Sequence, residues 1–188
     1  MSSGAAVLAA RGVARRFGAH VALAPDTGTV ERRADVRVGW VPQRPAYYGR
    51  LSARENLELF ARLEGERDAA LAAERLLKQF DLPRDERSST ELSVGNRQRL
   101  NVAIALLGAP QALLLDEPTA ALDPGQRRRL WELVVRLHDE GGAVCFATQN
   151  LEEIESFADR VAFLQSGTVV FSGTHDEYVA TAAADVFA

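Results

Sequence analysis

The chain is poor in cysteine and has no long apolar stretch. Cys145 is the only cysteine among 188 residues, so an internal disulfide framework is excluded. No apolar run approaches the roughly 20 residues that a membrane-spanning helix needs. The net charge is −4 at pH 7, which indicates no basic face for nucleic acid. We therefore expect a cytoplasmic protein without a secretory signal or a membrane span of its own.

Lysine is almost absent as well. Lys78 is the only lysine among the 22 Lys and Arg residues, and it lies in an amphipathic helical pattern. A phosphate-binding loop of the type G-x-x-x-x-G-K-[ST] needs a lysine directly after its second glycine. No such stretch occurs in the sequence, so a self-contained loop of this type is excluded.

The pattern of apolar residues predicts one α/β domain with a mostly parallel sheet. Apolar residues make up 47% of the chain and charged residues 26%, as in soluble globular proteins. Short apolar strands alternate with capped amphipathic helices, which favours parallel strands joined through helices. The predicted strands cover about residues 36–40, 112–115 and 143–147, the last two buried, with a hairpin at 161–164 and 168–171. The predicted helices begin at Ser52, Asp68, Ser93, Pro124, Asn150 and Thr174.

The first candidate site follows a wholly apolar strand. Residues 112–115 run directly into Asp116 and Glu117. In open α/β sheets, ligands bind outside the carboxyl ends of the strands. An aspartate there can hold Mg²⁺, and a neighbouring carboxylate can orient a water molecule for attack on a phosphoryl group. The alternative is a pair of solvated acids that cap the next segment.

The second candidate site is the start of the helix that follows Leu92. Ser93 is a helix cap, and Gly95 lets a ligand approach the backbone closely. The N-terminus of a helix offers free N–H groups and the positive end of the helix dipole, and both favour phosphate. By itself the pattern predicts no more than an ordinary capped helix.

Five spaced motifs, in this order, resemble those of the ATP-binding cassette (ABC) family of transport ATPases. The resemblance extends from Leu8 to about Tyr178. It implies a P-loop NTPase-type α/β sheet with a core at about residues 5–44 and 92–188. A helical subdomain would be inserted at about residues 45–91. The motifs are residues 40–43 (WVPQ), 92–96 (LSVGN), 113–118 (LLLDEP), 120–124 (AALDP) and the strand 144–148 that ends before Gln149.

The resemblance assigns ATP and Mg²⁺ as cofactors and gives roles to the acidic and polar residues of these motifs. Asp116 would bind Mg²⁺, and Glu117 would be the base that positions water. Gln43 would sense Mg²⁺ and the γ-phosphate. Ser93 and Gly95 would contact the γ-phosphate of ATP bound to the opposite subunit.

Further roles implied by the resemblance concern the interfaces with other subunits and the adenine ring of ATP. Asp123 would cross the interface between two cassettes. Phe17 would stack on adenine, although a plain core residue is the alternative. The segment after Gln43, through Tyr47 and Tyr48, would face a membrane subunit.

Two positions depart from the family pattern. The signature motif reads LSVGN, a variant that resembles cassettes paired with ABC-2 export-type membrane subunits. Gln149 stands where the family usually has a catalytic histidine. Glutamine can donate a neutral hydrogen bond, but it cannot carry a proton or a positive charge.

The largest departure is the missing phosphate-binding loop. Residues 21–24 resemble the family segment before its second strand, and residues 25–30 resemble the segment after the P-loop helix. A strand, loop and helix of about 35–40 residues, the order of one βαβ unit, are thus missing between residues 23 and 28. Either the segment is deleted, or the natural protein is longer than these 188 residues. A deletion would leave neighbouring strands unpaired and expose apolar surface.

The implied function is that of the ATP-binding subunit of an ABC transporter, of the exporting kind. Such a subunit would work as a homo- or heterodimer of cassettes, docked on a separate membrane subunit at the inner face of the cell membrane. One alternative is a non-hydrolysing partner cassette that donates Ser93 and Gly95 in trans. A truncated, inactive product is the third possibility.

Overall fold

The computed structural model of the protein describes residues 8–17, 20–32, 34–120, 122–165 and 168–185. These residues form two units. The larger unit is Asp35–Gln149, and the other combines Met1–Ala34 with Asn150–Ala188. All candidate site residues except Phe17 belong to the larger unit.

Three parallel strands form the sheet of the larger unit. They are β3 (Val38–Val41), β4 (Ala112–Asp116) and β5 (Ala143–Ala147), in the order β3-β4-β5. This arrangement confirms the parallel α/β sheet that the sequence predicts. Because the strands are parallel, the segments that follow them leave from one edge of the sheet, where ligands bind in such folds.

The helices of the larger unit begin at polar caps, as predicted for Ser52 and Ser93. Ser52 caps α1 (Ala53–Leu63): its Oγ accepts from the Glu55 N–H at 3.2 Å, and its own N–H donates to Glu55 Oε2 at 2.8 Å. This reciprocal capping box satisfies two backbone donors that the first turn leaves free. The other helices are α2 (Ala69–Gln79), a 3₁₀ turn (Ser89–Glu91), α3 (Val94–Ala105) and α4 (Pro124–Asp139), with caps at Asp68, Ser93 and Asp123.

Helices α3 and α4 cover one face of the sheet. Leu113 of β4 and Trp131 of α4 are buried in the same apolar cluster. The Trp131 ring packs edge-on against the Phe146 ring of β5, with 4.9 Å between the ring centroids. A Cβ atom at Gly39 would overlap the carbonyl oxygen of Ala105, so only glycine permits α3 to lie this close to β3. Helices α1 and α2 pack against α3 in a second buried cluster.

The opposite face of the sheet carries exposed apolar side chains. Trp40, Leu114 and Cys145 are register partners across the three strands, and Trp40 is 63% exposed. The prediction that residues 143–147 form a buried strand is wrong in this respect, because Cys145 and both ends of β5 are exposed. The reason is that β5 is an edge strand among the described residues, with helices on one face only.

The described residues of the other unit form two antiparallel strand pairs and two helices. The first pair is β1 (Leu8–Phe17) and β2 (His20–Arg32), and the second is β6 (Arg160–Gln165) and β7 (Thr168–Thr174). The predicted hairpin is confirmed as β6–β7, while its turn at 166–167 lies outside the described residues. Strand β2 includes residues 23–28, where the family segments adjoin, but its pairing with β1 is irregular there, because Ala14 pairs with Thr27 and the next residue, Arg15, pairs with Ala22. The helices are α5 (Leu151–Phe157) and α6 (His175–Asp185).

The predicted caps of these helices are also present. The Thr174 Oγ1 accepts from the Glu177 N–H at 3.2 Å, and the Thr174 N–H donates to Glu177 Oε2 at 2.8 Å. Asn150 caps α5 by accepting from the Glu152 N–H at 3.1 Å. Within the described ranges, every helix is too short or too polar to pass through a bilayer.

Candidate functional site

The carboxyl ends of the three parallel strands bring several predicted site residues to one edge of the sheet. Asp116 is the last residue of β4, and Gln43 and Gln149 each follow the end of a neighbouring strand by two residues. The backbone N–H of Glu117 donates to the carbonyl of Ala147 at 2.9 Å, which fixes the end of β4 to the end of β5. The edge therefore presents two carboxylates between two amides.

Glu117 occupies a strained turn at this edge. Its φ angle is 47°, in the left-handed region, which costs a residue with a Cβ atom about 1–3 kcal/mol. The turn is held by the Glu117 N–H bond to β5 and by the Ala120 N–H, which donates to the Glu117 carbonyl at 3.4 Å. The Asp116 and Glu117 side chains are both half-buried. The backbone thus holds two acids at a fixed place beside solvent.

The N-terminus of α3 is open to solvent at its first residues. The Ser93 Oγ accepts from the Asn96 N–H at 3.2 Å, and Ser93 and Val94 are both exposed. Gly95 is buried, and a Cβ atom there would overlap the side-chain amide of Gln126 on α4. The space beside Gly95 is filled by Gln126 in this structure, so its predicted contact with a ligand stays a prediction.

A direct hydrogen bond joins α3 to the acidic turn. The Gln98 side-chain amide of α3 donates to the Pro118 carbonyl at 3.0 Å, one residue after Glu117. Further along, the Gln126 N–H donates to Asp123 Oδ1 at 2.9 Å, so the Asp123 carboxylate caps α4. Helix α3, which begins in the signature motif and is called the signature helix, is therefore a neighbour of the start of α4 and of the turn at Asp116 and Glu117, called the acidic turn.

Sequence reasoning missed Asn101, which fixes the loop that carries Gln43. Its side chain is 2% exposed and bridges the loop: Nδ2 donates to the Pro42 carbonyl at 3.2 Å, and Oδ1 accepts from the Ala46 N–H at 3.1 Å. Gln43 itself is exposed between these two attachment points. The available signal was an asparagine on the apolar side of a helix, because a buried amide needs partners.

The next residues of the loop, which the resemblance directs at a membrane subunit, are also fixed by a buried asparagine. Asn56 of α1 is fully buried, accepts from the Tyr48 N–H at 2.8 Å and donates to the Tyr48 carbonyl at 3.0 Å. The Tyr48 side chain is 57% exposed. Burial raises the pKa of Tyr47, while the hydrogen-bonded guanidinium of Arg97 opposes that rise. The segment is thus a rigid backbone that presents Tyr48 to solvent.

One predicted site residue cannot be compared with this geometry. Phe17 is the last residue of β1, and its side chain lies outside the described part of the structure. Gln149 is exposed, and Cys145, two residues before the end of β5 at Ala147, is a free thiol.

Comparisons with known proteins agree with these features. A model of the ABC transporter family matches residues 18–120. The daunorubicin resistance ATP-binding protein DrrA3 of Streptomyces coeruleorubidus is 39% identical over 176 residues, which cover 87% of this chain and 56% of that protein. ATP-binding cassette sub-family A member 7 of Mus musculus is 38% identical over 170 residues, 88% of this chain and 7% of that one. The chain spans about half the length of DrrA3.

Solved structures support the same fold. The ATP-binding cassette MJ0796, as a post-hydrolysis dimer bound to ADP and Pi, matches with a TM-score of 0.75 and 20% identity, over 89% of this chain and 98% of that chain. Another dimeric structure of that bacterial cassette gives a TM-score of 0.70 at 25% identity, over 80% of this chain and 74% of that chain. With an ordered set of motifs, a matching family model and this fold, the chain belongs to the ABC transporter family.

Proposed function

We propose that this chain is a cassette subunit of an ABC exporter and that it shares its ATP site with a second cassette. The observation that carries the proposal is the hydrogen bond from Gln98 to the Pro118 carbonyl. It joins the helix that begins at Ser93 to the turn that holds Glu117. Two motifs that the family uses for ATP are thus kept in fixed relation within this chain.

The residues present fit one part of an ATP site and lack another. Asp116 and Glu117 offer carboxylates, and Mg²⁺ binds in proteins through one or two carboxylates together with phosphate oxygens. Among the described residues, no group of three or more His, Cys, Asp or Glu side chains could hold a metal ion by itself. The sequence contains no phosphate-binding loop, and its single lysine, Lys78, is exposed on α2. The chain by itself therefore does not fit a whole triphosphate.

The absence of a phosphate-binding loop favours a role in which this chain completes the ATP site of a second cassette. Ser93 and Gly95 would face the terminal phosphate of a nucleotide that a second cassette holds. The exposed residues Ser93 and Val94 support this role, because the free N–H groups and dipole of a helix start suit an anion approaching from outside. Gln126 would have to move aside for Gly95 to take part. Gln149 supports it too, because an amide cannot replace a histidine in proton transfer.

A second mode of action, hydrolysis at this chain's own site, is favoured by the intact acidic turn. Asp116 and Glu117 are both retained, and the strain at Glu117 is of the kind that proteins keep at functional sites. In this mode a phosphate-binding segment would have to complete the site between residues 23 and 28. The two modes differ in whether nucleotide binds to the chain itself.

The membrane side of the proposal concerns the loop after Gln43. Its backbone is held by Asn101 and Asn56, and it presents the Tyr48 ring to solvent. We place the contact with a separate membrane subunit here, on the cytoplasmic side of the membrane. The LSVGN form of the signature motif and the name of the DrrA3 relative support a transporter that exports.

The test uses a restored chain, in which a strand, a G-x-x-x-x-G-K-[ST] loop and a helix are inserted between Ala24 and Pro25. The restored chain also carries Ser93→Arg, which blocks its own signature helix. Steady-state ATP hydrolysis is then measured with and without the 188-residue chain. Hydrolysis that appears only in the mixture supports donation of Ser93 in trans.

The matched control is the 188-residue chain with Ser93→Arg, which should fail to activate the restored variant. If the mixture stays inactive although the restored chain with its native Ser93 hydrolyses ATP, donation in trans is wrong. Activation by both forms of the 188-residue chain would contradict the role of Ser93.

A further inference from the structure

We infer that Arg99 is a positioning residue that holds Asn96, and through it the cap residue Ser93, against the C-terminal end of helix α2. Arg99 lies on α3, one turn after Asn96, and its Nη2 donates to the Asn96 side-chain oxygen. The backbone N–H of Asn96 is the group that the Ser93 hydroxyl caps, at 3.2 Å. Arg99 is thus connected to Ser93 through one residue, Asn96.

The other arm of the guanidinium holds the end of α2. Arg99 Nη1 donates to the Phe80 carbonyl at 2.7 Å and to the Asp81 carbonyl at 2.9 Å. Asp81 has a φ angle of 48°, the left-handed conformation that often ends a helix, and Leu82 N–H returns to the Leu77 carbonyl at 2.9 Å. Arg99 therefore bonds the carbonyls of the two residues that directly follow α2.

The chemistry of Arg99 suits a bridge better than it suits packing. Its side chain is only 16% exposed, and its Nε is buried without a hydrogen-bond partner in the described part of the chain. Leaving a buried donor unsatisfied is unfavourable, so an apolar side chain would serve simple packing better. The planar guanidinium instead joins two elements with a fixed geometry that an apolar residue cannot reproduce.

The bridge also gives a physical reason for Asn96 in the signature motif. Residues three apart on a helix are neighbours, and the side chains of Asn96 and Arg99 meet across one turn. A change in position of the end of α2 would move Arg99, then Asn96, and then the capped turn at Ser93. The signature motif is therefore coupled to α2. The link from Ser93 to nucleotide rests on the proposed function, whereas the bridge itself does not.

The first test measures amide hydrogen exchange of Asn96 by NMR in the intact 188-residue chain. Arg99→Gln and Asn96→Ala should each raise the exchange rate of the residue 96 backbone amide, relative to the intrinsic rate of that residue in an unfolded peptide, by about fivefold, the effect of losing a typical helix cap. The double variant should show no further increase, because both changes break the same bridge. Exchange at Leu100 and Val102, in the middle of α3, should stay unchanged.

Arg129→Gln is the matched control. Arg129 lies 3.8 Å from the Asp81 carboxylate and is 67% exposed. Its replacement removes a positive charge beside Asp81 and leaves the bridge from Arg99 to Asn96 in place. The Asn96 amide should exchange at the native rate in this variant. Native exchange in Arg99→Gln, or additive effects in the double variant, would overturn the inference. Should Arg99→Gln not fold, Asn96→Ala carries the same test, since Asn96 is only half-buried at a helix start.

The second test separates this inference from the proposed function. In the mixture with the restored Ser93→Arg variant, Arg99→Gln in the 188-residue chain should raise the KM for ATP about fivefold and leave kcat nearly unchanged. Asn96→Asp should retain the native exchange rate of the residue 96 amide, relative to the intrinsic rate of that residue, because a carboxylate oxygen still accepts from Arg99. Altered amide exchange with an unchanged KM would overturn the positioning role. A mixture that is inactive even with the native chain would contradict the proposed function and leave the exchange result to decide the bridge.

Discussion

Asn101 donates its side-chain amide to the Pro42 carbonyl at 3.2 Å, and this bond ties helix α3 to the loop that carries Gln43. The same helix begins at Ser93 and reaches the acidic turn through Gln98. One helix therefore holds three of the predicted site segments in register. The side chains of the buried Asn101 and the half-buried Gln98, rather than residues 92–96, make these connections.

Asn101→Leu should lower the free energy of unfolding by about 1–3 kcal/mol, because the Pro42 carbonyl and the Ala46 N–H lose their partner. Urea denaturation followed by circular dichroism measures this change. Gln149→Leu, which replaces an exposed amide, is the control and should stay within about 0.5 kcal/mol of the native chain. Equal stability of the two variants would show that the Asn101 bonds contribute nothing.

Two glycines should respond differently to the same substitution. Gly39→Ala should destabilise the chain by about 1–3 kcal/mol or more, because its new methyl group would overlap the backbone carbonyl of Ala105. Gly95→Ala should cost less than about 1 kcal/mol, because the flexible end of Gln126 can move aside. Thermal unfolding of both variants measures the difference. A larger loss at Gly95 than at Gly39 would contradict the packing described for α3.

Glu117→Gln in the restored chain with its native Ser93 should keep Mg-ATP binding and abolish hydrolysis. The amide occupies the same space, but it cannot act as a base toward an attacking water molecule. Equilibrium binding and steady-state phosphate release measure the two effects separately. Undiminished phosphate release would remove Glu117 from its proposed role, and loss of binding with an intact fold would assign it to nucleotide binding instead.

The start of α1 should contribute to acid sensitivity. Hydrogen bonds from the Ser52 backbone N–H, and next from its hydroxyl, hold the pKa of Glu55 below its ordinary value. This stabilisation is present above the unfolded-state pKa of about 4.3 and is lost as the pH falls through the lower folded-state pKa. Urea midpoints between pH 6 and 3 should therefore fall less steeply in Glu55→Gln. Parallel curves for the two proteins would contradict the prediction.

Cys145 should react with a thiol reagent in the native state. It is exposed on the sheet face that also carries Trp40, so reagent can reach it without unfolding. Ellman's reagent should label one thiol per chain at a similar rate in buffer and in denaturant. Strong protection in buffer that disappears on unfolding would show that this face is covered.

Local chemistry in the sequence predicts much of this fold. The caps at Ser52, Ser93 and Thr174 define helix starts because one side chain satisfies backbone donors within its own turn. The acids at the end of β4 are recognisable because charged residues directly follow a wholly apolar run. These signals depend only on residues close in the chain.

Features that depend on distant partners are not predictable in this way. The exposure of Cys145 depends on which strands and helices lie beside β5, and apolar composition alone predicts burial. Likewise Asn101 pairs with residues more than 50 positions away, and Gly95 meets Gln126 from another helix. A missing strand and helix between residues 23 and 28 would leave an exposed apolar face of the kind that Cys145 and Trp40 form.

Equilibrium binding of Mg-ATP to the purified 188-residue chain tests the central claim most directly. The claim is that the chain lacks a phosphate-binding loop and supplies only part of a shared ATP site. Titration calorimetry should detect no binding up to about 1 mM ATP, so that any binding free energy is weaker than about −4 kcal/mol. The restored chain should bind ATP under the same conditions. A cooperative thermal transition of the 188-residue chain must accompany this result. Saturable, Mg²⁺-dependent binding of ATP to the 188-residue chain alone would contradict the account.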